Sequence, residues 1–315
     1  KLRLGGRTEL NAPLKIGIAG SGTMALQHLE AWRAIGVEPV GVVARRAASA
    51  ERFGAAHGLP AFPDLDSLLR NSEVLDICTP TATHPSLVEA AAAAGNDIMC
   101  EKPLALTAAE GRRMLSTCRQ AGVQLCVAHV LRFFPAYRAA RRLVLAGTMG
   151  TVTAIRMRRA STVQPGSWFT DRSRSGGLEL DLLSHDVDWL LWTFGRPVAA
   201  KKIPLSAGRG SGAEQVRLHL SWADGATAEV DGSWNAAGSS TGFTIAGTRG
   251  RLEGSTDSLV LYPKDGPALE QVLGSGNPWQ EQARQAAAAF RTGADFVVRP
   301  EEALAAVEVI TEASS

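Results

Sequence analysis

Residues Lys15 to Ala25, Lys-Ile-Gly-Ile-Ala-Gly-Ser-Gly-Thr-Met-Ala, constrain this chain more than any other stretch. Leu14 to Ala19 reads as a short buried strand, apolar apart from Lys15. Gly20-x-Gly22-x-x-Ala25 follows and fits Gly-x-Gly-x-x-Gly/Ala. Leu26, Leu29, Trp32 and Ile35 then recur at helical spacing. Strand, glycine turn and helix in that order form a seat for a pyrophosphate. Gly20 permits the tight turn, and Gly22 puts no side chain between backbone and phosphate. The N–H groups of Thr23 and Met24 sit at the positive end of the helix. Ala25 is small enough for strand and helix to pack closely. The competing reading, a glycine turn that binds nothing, does not account for the flanking strand and helix.

The order of elements after this turn sets the fold class. Strands are expected at Val37–Ala44, Val74–Cys78, Ile98–Cys100 and Val123–Ala128, and helical pieces at 47–57, Asp64–Leu69, from His84-Pro85 to Gly95, and from Thr107 to Gly122. Strict alternation implies a parallel sheet with helices on both faces, an α/β doubly wound Rossmann domain. After about residue 130 the pattern changes. A helix at Ala136–Leu145 is followed by strands at Val152–Arg158, Val198–Leu205, Gln215–Trp222, Thr227–Trp234, Phe243–Ala246 and Leu259–Tyr262. Val216, Leu218 and Leu220 alternate with Arg217, His219 and Ser221, the mark of an open, mainly antiparallel sheet covered on one face. One long helix, Glu179 to Phe194, interrupts the strands, and Trp279–Thr292 and Pro300–Ala313 close the chain as helices. The Gly-Ser-rich pieces at 208–212 and 238–242 read as hairpin loops. The division is therefore a loose arm at 1–13, a dinucleotide-binding domain at 14–130 and an α+β substrate and oligomerisation domain at 131–315.

Composition limits the partners. A net charge of +2 over 315 residues implies no polyanion, and no basic run interleaves with aromatics, so neither nucleic acid nor a membrane surface is an expected partner. No apolar stretch is long enough for a bilayer, and Lys1–Ala12 lacks the apolar core of a signal peptide. Cys78, Cys100, Cys118 and Cys126 show no Cys-x-x-Cys spacing, which suits a reducing cytoplasm and argues against disulfides or a zinc cluster.

Three places carry chemistry. At the end of the second strand, where NAD-binding chains place an acid for the ribose 2′-hydroxyl, this chain reads Ala44-Arg45-Arg46. Guanidinium binds a 2′-phosphate bidentately, so NADP(H) is preferred and NAD(H) is the alternative; a bland loop cap by two arginines is the competing reading. Ligands of parallel sheets sit at the carboxyl ends of the strands, within reach of Thr79, Pro80, Glu101 and Lys102; His84, at the start of the next helix, is also expected to contact the cofactor. A Lys102 ammonium there could hold the nicotinamide ribose and polarise a substrate oxygen; otherwise it is a surface lysine. The third place is Gly176-Gly177-x-x-x-Asp181-x-x-x-His185. Asp181 and His185 stand four apart, hence on one helical face, as a general acid/base unit or as an ordinary capping pair. Asp186 and Asp188 lie on neighbouring faces, and no ligand spacing supports a metal.

Ile16–Ala25, Asp76-Ile-Cys-Thr-Pro80 with His84, Cys100-Glu-Lys-Pro103, Arg132-Phe with Pro135, Gly176-Gly177 to His185 and the ending Glu308–Ser314 together resemble the glucose–fructose oxidoreductase / inositol dehydrogenase (Gfo/Idh/MocA) family, from about Pro13 onward. The resemblance implies reversible NAD(P)-dependent oxidation of a sugar or cyclitol hydroxyl. It implies that Lys102 touches nicotinamide ribose and substrate, that His185 exchanges the hydroxyl proton, and that Asp181 helps place the substrate. Apart from the resemblance, the half-exposed alternating strands at 215–222 and 227–234 leave a broad open sheet face for a second subunit, so a homodimer or homotetramer is expected. Two departures stand out. Ser175 fills the first place of what is usually a glycine triplet, and Val130-Leu131 precede Arg132 where the family often carries a polar residue. Trp168 could stack on a sugar face or belong to the core, and His129 could reach a pocket mouth or simply end its strand. The alternative functions are a keto-sugar-nucleotide reductase, a dihydrodiol-type dehydrogenase, or a non-catalytic NADP(H)-binding sensor.

Overall fold

The computed structural model of the protein describes residues 13–164, 166–206, 214–234 and 238–314. The expected arm to residue 12 and the 208–212 loop lie outside the described residues. The described residues fall into two compact units, one within 13–105, 109–128 and 279–301, the other within 106–108, 129–278 and 302–314.

The first unit follows the alternation: β1 (Ile16–Ala19), α1 (Thr23–Ala34), β2 (Gly41–Val43), α2 (Ala47–His57), α3 (Leu65–Asn71), β3 (Val74–Ile77), α4 (His84–Ala94), β4 (Asp97–Glu101), α5 (Ala108–Ala121) and β5 (Leu125–Ala128). All pairings are parallel, in the order β2-β1-β3-β4-β5. Every residue of β1, β3 and β5 is buried, as a sheet covered on both faces demands. The helices begin and stop on local signals. Asp64 accepts the Ser67 N–H at 2.7 Å ahead of α3, Pro85 opens α4, and Gly58 and Gly95 close α2 and α4 in left-handed conformation.

The second strand is shorter than the expected Val37–Ala44. Pro39 has no N–H to give a ladder, so pairing with β1 is confined to Gly41–Val43. The edge beyond β2 is covered by Pro60–Phe62: Val42 N–H donates to the Pro60 carbonyl at 2.8 Å, and the Val42 carbonyl accepts Phe62 N–H at 2.8 Å.

The second unit contains α6 (Pro135–Leu145), β6 (Val152–Ser161), α7 (Arg172–Ser175), α8 (Leu178–Asp181), α9 (Ser184–Phe194), β7 (Ala199–Ser206), β8 (Glu214–Ser221), β9 (Thr227–Trp234), β10 (Ser240–Gly247), β11 (Gly250–Gly254), β12 (Leu259–Pro263) and β13 (Leu269–Glu270); α10 (Pro278–Thr292) and α11 (Pro300–Thr311) end the described chain. Its eight-stranded sheet runs β13-β12-β11-β10-β6-β9-β8-β7, antiparallel except for the β6–β9 pair. Val216, Leu218 and Leu220 are buried while the residues between them are half-exposed, as expected. The buried face meets an aromatic cluster in which the Trp189 and Phe243 rings stack at 6.0 Å and Tyr137 lies 4.9 Å from Phe243. The other face is charged: Arg217 bonds Asp231 at 2.8 Å and Glu229 at 3.0 Å, and Arg156 bonds Glu229 at 2.6 Å.

Four expectations need correction here. The long helix Glu179–Phe194 is two helices, broken by a turn at Leu182-Leu183. Residues 240–242 begin β10 rather than forming a hairpin loop, and β11 and β13 were not foreseen. Finally, α10 was assigned to the second domain. Its apolar face, Ala283, Ala286, Ala287 and Phe290, instead joins the first unit's core with Ile16, Trp32, Val74 and Met99.

Candidate active site

The glycine turn is built as its sequence requires. Gly20 has φ +124°, and a Cβ there would run into the Cys78 carbonyl oxygen, so no other residue fits. Its N–H donates to Val43 at 2.8 Å, tying the turn to β2. Gly22 caps α1 with no side-chain bond, and the first turn contains no acid. A Cβ on Gly22 would meet nothing within 4 Å, so the space over the helix start is open. By helix geometry the N–H groups of Thr23 and Met24 lack intrahelical acceptors. Uncapped donors, no carboxylate and no side chain in the way fit a dinucleotide phosphate. Ala44 is half-buried at the end of β2, and Arg45 and Arg46 are both exposed, with the Arg46 carbonyl taking the first turn of α2 from Ser49 at 2.8 Å.

The ends of β3 and β4 are stapled together. His84, expected to touch cofactor, is fully buried, its Nε2 3.0 Å from the Thr79 carbonyl and its Nδ1 3.1 and 3.2 Å from those of Pro103 and Leu104. It shapes the edge instead of facing it. Burial, ahead of its bonds to these carbonyls, pushes the imidazole below its usual pKa. Thr79 and Pro80 stay half-exposed, and the Thr83 hydroxyl lies 2.7 Å from that of Thr79. Glu101 is buried and its Oε2 accepts the Lys102 N–H at 3.0 Å, while Lys102 itself is half-buried.

His28, and its meeting with Asp76 under this edge, escaped sequence analysis. His28 on α1 places Nδ1 3.0 Å from both Asp76 oxygens and Nε2 2.9 Å from Glu101 Oε1. Trp32 Nε1 donates to Asp76 at 2.7 Å. The available signals were a histidine on the buried stripe of Ala25, Leu29 and Trp32, and one aspartate inside the apolar run Val-Leu-Asp-Ile. His28, Asp76 and Cys78 bring three potential metal-ligand atoms within 4.8 Å, but hydrogen bonds already join them. Burial, with the Asp76 charge, pushes the Cys78 thiol up to about 12. All four cysteines are free thiols.

In the second unit, Gly176 and Gly177 adopt φ +79° and +85°, and a Cβ on either would strike Leu180 or Arg172. The departure at Ser175 has a structural role. Its buried hydroxyl donates to the Phe169 carbonyl at 2.7 Å and accepts the Gly177 N–H at 3.0 Å. Asp181 ends α8, buried, and His185 lies half-buried in the first turn of α9, so the break at 182–183 separates them and continuous helical spacing does not relate them. Their acidic neighbours are neutralised. Asp186 is held by Arg159 at 2.6 and 2.9 Å, and Asp188 by Arg132 at 2.8 and 2.6 Å. Desolvation works against the Arg159 charge, yet Asp186 more than offsets it and raises the guanidinium further. His129 is buried at its strand end, 3.8 Å from Asp188. Trp168 is half-buried and stacks on Phe169 at 4.1 Å, outside the deep core.

Fold and glycine turn define a Rossmann-type, dinucleotide-binding protein. The family described as oxidoreductases with an NAD-binding Rossmann fold matches residues 14–129, and the GFO/IDH/MocA C-terminal domain matches 137–253. The chain is 31% identical over 248 residues to a 1,5-anhydro-D-fructose reductase of Ensifer adhaerens, covering 76% of this chain and 74% of the relative. It is 33% identical over 270 residues to a D-apiose dehydrogenase of Paraburkholderia graminis, covering 80% and 70%. An aldose–aldose oxidoreductase from Caulobacter crescentus shares the fold with a TM-score of 0.86 at 22% identity, over 96% of each chain. The chain belongs to the GFO/IDH/MocA oxidoreductase family.

Proposed function

We propose that this oxidoreductase is NADP(H)-dependent and moves a hydride between nicotinamide and a hydroxyl or carbonyl carbon of a sugar or cyclitol. When bound, the cofactor supplies the hydride acceptor or donor. The residues of the chain do the rest. The α1 start and its uncapped N–H groups hold the pyrophosphate. Arg45 and Arg46 take the ribose 2′-phosphate, Thr79 and Pro80 border the dinucleotide, and Lys102 bonds the nicotinamide ribose and the reacting oxygen. His185 gives the hydroxyl proton on reduction and removes it on oxidation, Asp181 orients the substrate, and Trp168 offers a ring to a sugar face. The half-exposed face of the alternating strands β8 and β9 supports a homodimer or homotetramer through that open face.

The observation that carries the NADP reading is the pair of exposed guanidinium side chains, Arg45 and Arg46, where an acid would stand in an NAD-binding chain. The sugar reading rests on the relatives, which act on 1,5-anhydro-D-fructose and D-apiose by name. The test titrates NADPH and NADH by cofactor fluorescence, then follows absorbance at 340 nm over 1,5-anhydro-D-fructose, D-apiose and inositol. Tighter NADPH binding and turnover of at least one compound are expected. NADH binding equal or tighter removes the cofactor preference, and flat absorbance across the panel removes the substrate class.

A further inference from the structure

His28 has no part in the reaction as proposed, yet it joins the two halves of the first unit's cofactor edge. Its ring lies in the second turn of the helix whose start holds the phosphate seat, and it is 2% exposed. One nitrogen faces the Asp76 carboxylate at 3.0 Å and the other the Glu101 carboxylate at 2.9 Å. The far oxygen of Glu101 accepts the Lys102 N–H at 3.0 Å. An ionised carboxylate only accepts, so an imidazole held between two ionised acids donates from both nitrogens and carries both protons. The cation offsets two carboxylates in a place nearly closed to water, where an unpaired charge would not survive.

We propose that His28 is a positioning residue for Lys102: it clamps Glu101 to Asp76, and Glu101 fixes the backbone amide from which the lysine side chain extends. The inference rests on the reading of Lys102 as the residue that meets nicotinamide and substrate. One helix thereby carries the phosphate seat at its start and, further along, the histidine that sets the lysine turn. The groups facing the ring are Asp76 and Cys78 of the β3 end and Glu101 of β4, with Trp32 Nε1 on the same Asp76 carboxylate and the Cys126 thiol of β5 near enough to feel its charge. Burial alone would lower the ring's proton affinity, but Asp76 and Cys78 outweigh it and raise it well above the usual value.

Two substitutions separate the links. Asparagine puts an amide near the Nδ1 position and keeps the Asp76 bond, whereas glutamine reaches the Nε2 position and keeps the Glu101 bond. With a panel sugar that turns over, His28→Gln should keep kcat within about threefold of the parent. His28→Asn should lose about tenfold, the low end for partners that orient an active group from behind. KM and the NADPH dissociation constant should stay within about threefold in both. A purely structural histidine would lower thermal stability without distinguishing the two, so equal kcat values in the two variants overturn the proposal. Should either variant fail to fold, long-range ¹H–¹⁵N spectra of the histidine-labelled parent decide: a His28 ring protonated on both nitrogens at pH 8 supports the clamp, and a neutral ring at pH 7 overturns it. Lys102→Ala is the separate control. Undiminished turnover there removes the lysine reading itself, whatever the spectra of His28 show.

Discussion

The two units solve the same problem differently: each must hold several acids near the residues assigned to the reaction. In the first unit the acids are locked to a histidine and to backbone amides, with His28 between Asp76 and Glu101 and Glu101 on the Lys102 N–H. In the second unit two acids are locked to arginines, Asp186 to Arg159 and Asp188 to Arg132. An arginine stays charged at any working pH, whereas an imidazolium does not. The second unit's frame is therefore indifferent to pH and sensitive to mutation, and the first unit's frame responds to both.

The largest expected effect lies at His185, the proposed proton carrier. His185→Ala should lower kcat by about 10²–10⁴ and leave NADPH binding unchanged, since the dinucleotide seat belongs to the other unit. Steady-state rates beside a fluorescence titration check this; normal turnover would reassign the proton. Next comes the arginine frame. Arg132 and Asp188 are both fully buried, and Arg132 also reaches Glu302 at 2.5 Å and lies over the Trp192 ring at 5.2 Å. Arg132→Met strands a buried carboxylate and should cost about 3–5 kcal/mol in urea unfolding. Adding Asp188→Leu should recover much of that loss, because the penalty is the orphaned charge. Additive losses would mean that packing, not charge, holds α9. Gly177→Ala follows, at about 1–3 kcal/mol, because φ +85° with ψ 179° is essentially a glycine conformation and the new methyl meets Arg172. A change in thermal midpoint under 1 °C would show that the turn relaxes.

How much of this was legible in the sequence follows from how local each signal is. The glycine turn, the closing glycines Gly58 and Gly95 and the alternation in β8 are encoded within a few residues, and the structure repeats them. The break at Leu182-Leu183 was hidden because Leu180, Leu182 and Leu183 are all buried, so the apolar pattern runs through the turn without a gap. Residues 250–254 begin and end in glycine, and β13 is exposed along both residues, so neither has a strand signature. For α10 the apolar stripe said that a face is buried, and nothing in it said against which unit. His28 and Asp76 are 48 residues apart and His28 and Glu101 are 73 apart. Each polar residue was visible in its own segment, but their meeting depends on the sheet order, which no window contains.

The His28 clamp gives the two frames different pH behaviour. The ring's folded pKa lies above the unfolded value of about 6.5, so between the two values the folded chain keeps a proton that the unfolded chain has released. Its contribution is therefore complete below about pH 6.5 and shrinks as pH rises toward the folded pKa, at up to about 1.4 kcal/mol per pH unit. Urea midpoints at pH 6 and pH 9 should fall for the parent and fall less for His28→Gln, which has no ring to titrate. Parallel pH profiles for the two proteins would deny the imidazolium.

The smallest expected effect tests the open face of the second sheet. Arg217 has a quarter of its side chain exposed and bonds Asp231 and Glu229 across the strands. With water on this face, such a pair is worth under about 1 kcal/mol and weakens with salt. Arg217→Ala should then cost less than that in 0.1 M salt and almost nothing in 1 M. If a second copy covers the face, as the proposed oligomer requires, the same ladder is desolvated, and removing its cation leaves Asp231 and Glu229 buried without a partner. The cost then rises toward the Arg132 value, becomes insensitive to salt, and brings a fall in the mass measured by light scattering. A small, salt-screened loss with unchanged mass would instead exclude this face as the contact.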